Sequence, residues 1–163
     1  SGQTLESTGG LPTWVTGAAA GGSTSGWIIS RASSASISTG AFIGINWLEE
    51  ELDTDNYHST VTASSLVTIT VAGTYLFTFQ CDLQSSAADV SILRLLENDS
   101  TSFGEQRNYG GGDSPIFSIS AIRRFATTGA TITPTVLVRT ANVLRGSSGA
   151  LQLAKFSGWR LGP

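Results

Sequence analysis

At 163 residues the chain is long enough to bury one sizeable core, and a single cysteine, Cys81, excludes an internal disulfide framework. Charged residues make up only 13% and hydrophobic residues 40%, a balance suited to a subunit that hides much of its surface in an assembly. The net charge is −3 and the nine basic residues are scattered, Arg123-Arg124 being the one adjacent pair, which excludes nucleic acid as the expected partner.

Residues 1–40 are dominated by Gly, Ser, Thr and Ala, a composition that cannot bury enough apolar area to order itself alone, and they read as an N-terminal arm. The start SGQTLESTGG has neither the basic nor the apolar region of a secretory signal, and no stretch approaches the roughly 18 apolar residues of a membrane span, so no membrane partner is expected. Within the arm stand Leu11, Trp14 and Trp27, large apolar residues for which a plain linker has no use. They are expected to dock on the domain, a neighbouring subunit or a partner. For Trp27-Ile28-Ile29 the alternative is a first β-strand of the domain itself.

From Ala41 onward the sequence reads as strand after strand. Ala41–Leu48 is apolar with glycine, and Asn46–Thr54 is the one short candidate for a helix. Val67–Leu83 reads as two strands meeting at a glycine turn, with Val67, Ile69, Val71, Tyr75, Phe77, Phe79, Cys81 and Leu83 on one face of a period-two pattern. Cys81 is then a small buried hydrophobe. Asp89–Glu97 ends at Asn98-Asp99, a dipeptide suited to tight reversal. Gly104–Ser114 and Ala141–Gly149 read as loops, and Ile116–Phe125, Thr131–Thr140 and Leu151–Leu161 as further strands. Seven or eight short strands with glycine-rich turns predict an all-β sandwich or jelly roll over residues 41–163.

Four motifs add a resemblance. Gly73-Thr74-Tyr75-Leu76-Phe77, Arg94-Leu95-Leu96-Glu97-Asn98, Thr128-Gly129-Ala130-Thr131-Ile132 and Phe156-Ser157-Gly158, in this order, resemble the C1q/TNF-like jelly roll, a domain that generally works as a homotrimer. The resemblance implies that Tyr75, Phe77, Phe79 and Phe156 lie in or beside a trimer interface; the opposing reading makes them ordinary core. A narrower resemblance, carried by Trp47, Glu49–Glu51 and Asp53-Thr54-Asp55-Asn56-Tyr57-His58-Ser59, is to C1q-like domains encoded by tailed bacteriophages, although those commonly have glycine where Asn56 stands. It implies a structural protein of the virion, made in the host cytoplasm: a capsid decoration, head fibre or tail appendage whose arm fastens it to major capsid or tail proteins. The alternative is a receptor-binding or carbohydrate-binding tip, with Arg107, Tyr109 and Asp113 contacting a host-surface glycan.

Candidate chemistry is sparse. Glu49, Glu50, Glu51, Asp53, Asp55 and the only histidine, His58, lie within ten residues. They read as a solvated turn or, through Asp53 and Asp55, as a calcium site, though the glycine-punctuated pattern of a dedicated calcium loop is missing. Zinc would want more His or Cys than one of each. No serine sits in a G-x-S-x-G elbow, and Gly110-Gly111-Gly112-Asp113 lacks the lysine and following helix of a phosphate loop. Neither an enzyme nor a resident cofactor is expected.

Overall fold

The computed structural model describes residues 3–6, 13–16, 25–31, 33–38, 40–84, 89–110, 116–139, 142–144 and 154–163. In chain order the strands are β1 Gln3–Glu6, β2 Thr13–Thr16, β3 Gly26–Ser30, β4 Ala35–Ile37, β5 Ile43–Gly44, β6 Glu49–Asp53 and β7 Val67–Thr68. They continue with β8 Gly73–Gln84, β9 Asp89–Glu97, β10 Thr101–Gly110, β11 Ile116–Phe125, β12 Thr131–Val138, β13 Asn142–Leu144 and β14 Lys155–Gly162. Among the described residues there is no helix.

Two sheets form the body. One has five strands in the order β10-β9-β12-β5, with β7 also on β12; the other has seven, in the order β4-β13-β8-β14-β3-β6, with β11 also on β8. Every pairing is antiparallel. The facing sides share one core, in which Trp27, Trp47, Tyr75, Phe77, Phe79 and Phe156 meet Val67, Ile69, Leu93, Leu95, Ile132 and Val136. Strand β8 carries the pattern: Tyr75, Phe77, Phe79, Cys81 and Leu83 turn inward because period two puts them all on one side of the pleat. A separate hairpin pairs β1 with β2, placing Leu5 opposite Trp14.

The strands of Val67–Leu83 are not a hairpin. β7 belongs to the five-stranded sheet and β8 to the seven-stranded one, so the chain crosses the sandwich between them. Their shared apolar face survives because both sheets point it at the same core. Gly73 makes the corner at φ +154°, where the hydroxyl of Tyr75 donates to the Val71 carbonyl at 2.5 Å. A Cβ on Gly73 would lie 2.5 Å from Arg160 Nε and from the Gly162 carbonyl oxygen. At the other expected reversal, Asn98 and Asp99 take φ of 51° and 54°, and the Ser100 amide donates to the Glu97 carbonyl. That left-handed pair is the hairpin turn that matches strand twist.

Three sequence expectations are corrected. The domain does not begin at residue 41: β3 lies between β14 and β6, and β4 pairs with β13, so the arm as drawn over residues 1–40 loses residues 25–37 to the sandwich. Trp27 is therefore a strand residue, 0% exposed, whose alternation with Ile29 was hidden among small polar neighbours. Asn46–Thr54 is not helical; its second half is the edge strand β6, whose run of glutamates discourages further pairing at a sheet edge. Gly104–Gly110 is strand rather than loop, because an edge strand with one exposed face needs few apolar residues.

Proline inside β12 also has a physical place. Pro134 faces Leu95 of β9, while on its other side β7 reaches only Thr131 and Ile132 and β5 only Thr135 and Val136. It falls between two short partners, where a missing backbone donor leaves no ladder bond unmade.

Candidate self-association face

The four aromatic candidates for a trimer interface do not reach the surface. Tyr75, Phe77, Phe79 and Phe156 are each 0% exposed within a single chain. Phe77 stacks on Phe156 with centroids 6.2 Å apart, and Trp27 contacts Tyr75, Phe77 and Phe156 at 5.7–6.0 Å. The expectation that these rings seal subunits together is corrected: they are intradomain core, since the opposite sheet already covers the face that period two gives them.

The other face of the same sheet is open. There Leu76 of β8 stands opposite Ile122 of β11 on one side and Trp159 of β14 on the other, an apolar row across three adjacent strands. Ile122 is 64% exposed, and Leu161, two residues beyond Trp159 on β14, is 53% exposed. The next row is Ser120, Thr78 and Ser157, with the hydroxyls of Thr78 and Ser120 3.3 Å apart. Beyond it lie Ser118, Gln80 and Lys155, whose ammonium reaches Glu51 at 2.9 Å. The first two rows hold no charge, and their small hydroxyl residues would let another backbone approach closely.

Trp159 is held flat on this face by a glycine. It pairs with Gly26 across β3 and β14, where a Cβ on Gly26 would fall 2.8 Å from the indole. The neighbouring pair repeats the device on the inner face, with Trp27 over Gly158. Two Gly-Trp dipeptides thus lie antiparallel, each tryptophan covering the other strand's glycine. Leu76, Ile122, Trp159 and Leu161 were not singled out from the sequence, although Leu76 gave a signal: it is apolar in the polar phase of its strand.

The acidic cluster serves the fold. Asp53 accepts the backbone amides of Tyr57 and His58 at 2.9 Å each, and Asp55 accepts the hydroxyls of Ser25 and Thr54 at 2.6 and 2.8 Å. Those hydroxyl bonds hold the Asp55 carboxyl below its usual range. Ser25 continues through a short hydrogen bond to the Tyr57 hydroxyl, which lies 2.9 Å from that of Tyr75. Burial, then the bond to Tyr57, pushes the Tyr75 phenol up. His58 is enclosed between Glu50 at 2.8 Å and the Ser64 carbonyl at 3.1 Å. Both weak calcium candidates, Asp53 and Asp55, are therefore engaged as caps, and no group of three or more metal-ligating side chains occurs among the described residues.

Of the expected loop contacts, Arg107 lies on β10, half exposed, and pairs with Glu105 at 2.7 Å; Arg94 takes the other Glu105 oxygen at 2.6 Å. These two arginines hold the Glu105 carboxyl below its usual range. Tyr109 is on the same strand opposite Val90, and Asp113 lies outside the described residues. Leu11 of the arm also lies outside them, while Trp14 is on β2.

Cys81, 0% exposed on the inner face of β8, has its thiol pushed up by burial and then by the nearby Asp82 carboxylate. It stays protonated and unreactive in the folded chain. Ellman's reagent at mildly alkaline pH is expected to leave native protein unmodified and to titrate one thiol after denaturation; rapid labelling of the native form would contradict the burial.

Sheet order, core and corner together define the class: this chain has the C1q/TNF-like jelly-roll fold. Its structure is similar to that of murine APRIL, with a TM-score of 0.63 at 12% identity over 84% of this chain and 98% of the other. It also resembles the globular domain of zebrafish complement 1qA protein (TM-score 0.55, 15% identity, 84% and 96% covered) and Eiger TNF from S. frugiperda (0.55, 12%, 85% and 92%). No protein-family model and no curated protein matches the sequence.

Proposed function

We propose that this chain is a non-catalytic structural module of a virion, a capsid decoration or head-fibre protein, that works as a homotrimer through the outer face of its seven-stranded sheet. The observation that carries the assembly reading is the uncharged row Ile122, Leu76 and Trp159, left open in a single chain. Burying it would contribute on the order of 25 cal/mol per Å² of apolar surface, and the adjoining Ser and Thr residues remove the bulk that would keep copies apart. The C1q/TNF-like fold supports three-fold closure, because such domains generally work as trimers. Support for the virion role comes from the resemblance of Trp47 to Ser59 to phage-encoded C1q-like domains. The use of Asp53, Asp55, His58 and Glu50 to hold the fold supports the non-catalytic part of the reading. The hairpin of β1 and β2, outside both sheets, would be the fastening to major capsid or tail proteins.

Two measurements test the two halves separately. Light scattering at micromolar concentration should give three times the 16.9 kDa chain mass, and a stable single-chain mass would reject the assembly. Immunogold labelling of particles purified from cells that make the chain should decorate the particle surface. Label found only on free protein would reject the virion role and leave the trimer standing.

A further inference from the structure

Arginine use divides the surface. Arg94, Arg107, Arg123 and Lys155 each reach a carboxylate within 2.9 Å. Among the described residues no carboxylate lies within salt-bridge distance of Arg124 or Arg160, and these two share one hollow of about 310 Å³ at the corner where the chain changes sheets. Ala72, Gly73, Phe125, Ala126 and Pro163 complete its lining.

Each arginine reaches the hollow from its own strand. Arg124 is exposed on β11 opposite Thr74, one register step from the Gly73–Phe125 pair. Arg160 stands on β14 opposite Tyr75, and its side chain crosses Gly73 so closely that only glycine leaves room. Its Nε donates to the Ala72 carbonyl at 2.9 Å, which fixes the plane of the group and leaves the terminal nitrogens for another acceptor. The nearby acid, Asp55, has its carboxylate engaged by Ser25 and Thr54. Glu97, the acid of the adjoining hollow that Arg124 also lines, is taken by Arg123 at 2.7 Å.

We infer that Arg124 and Arg160 form a binding site for a phosphate or sulfate group, free or esterified to a sugar. Two arginines lining one hollow offer two planar forks to the oxygens of a tetrahedral anion, where a single surface arginine offers one. The hollow lies at the small end of ligand pockets, large enough for the anion with part of its carrier. Both arginines come from one chain.

The test is a titration of the whole chain, followed by amide NMR, with inorganic sulfate, inorganic phosphate, glucose 6-phosphate and glucose 6-sulfate. Saturable shifts at Gly73, Thr74 and Ala126 are expected. Arg124→Gln, a change on an exposed side chain, should weaken binding about tenfold or more, as loss of one charge-assisted bond pair predicts. Arg107→Gln, outside the hollow, should leave affinity unchanged. Tighter binding of the esters than of the inorganic ions supports a sugar-borne ligand, and equal or weaker binding supports the free anion. Shifts that never saturate, or an unchanged affinity in Arg124→Gln, overturn the site.

Discussion

Alanine at position 158 is expected to cost about 3 kcal/mol or more in the wild-type background and much less once Trp27 has been cut back to alanine. A Cβ on Gly158 would fall 2.2 Å from two atoms of the Trp27 six-membered ring, far inside contact distance. The ring has nowhere to go: Tyr57 is 4.8 Å away centroid to centroid, with Tyr75, Phe77 and Phe156 within about an ångström beyond that. Either the indole leaves its rotamer or β3 separates from β14, and both cost packing that a close-built interior cannot recover. Trp27→Ala alone should cost about 3–5 kcal/mol by opening a cavity, and the added methyl of Gly158→Ala would then project into that cavity. A double-mutant cycle by urea denaturation should therefore give a coupling of about 2 kcal/mol or more in the compensating direction. Additivity within about 0.5 kcal/mol would mean that the tryptophan does not lie over this glycine.

That pair also explains what could be read before the structure and what could not. Alternation in Val67–Leu83 correctly assigned its named residues, Val71 excepted, to one buried face, because the period of a strand is a property of the chain alone. Which surface covers that face is a property of topology. The resemblance put Tyr75, Phe77, Phe79 and Phe156 against a neighbouring subunit, and only the crossing at Gly73 gives them to the opposite sheet. Trp27 was ambiguous for a related reason. A five-residue strand flanked by serines and glycines is stabilised by its partners β14 and β6, which are distant in sequence, so local composition reads as an arm. Strand β10 was missed because its polar residues face solvent and one another, as Glu105 and Arg107 do beside Arg94 of β9. The open face was visible only as small anomalies: Leu76 in the polar phase of β8, Ile122 beside two arginines, Trp159 next to a glycine.

Lysine at position 122 should convert the assembly to single chains without unfolding them. Ile122 is 64% exposed in the single chain, so the isolated fold loses little when it is replaced. In a closed trimer the same side chain would occupy the centre of each contact, opposite Leu76 and two strands from Trp159. An ammonium taken out of water there without a partner costs several kcal/mol, and three-fold symmetry imposes that cost once per subunit. The expected outcome by light scattering is the mass of one chain at concentrations where wild type is trimeric, with an unchanged circular dichroism spectrum. Tyr75→Asp is the informative contrast. Tyr75 is 0% exposed, so a carboxylate there would be buried in the core and should unfold the chain rather than separate folded subunits. A trimeric Ile122→Lys protein with native stability would move the contact to another face. A folded, monomeric Tyr75→Asp protein would return it to the inner aromatic rings.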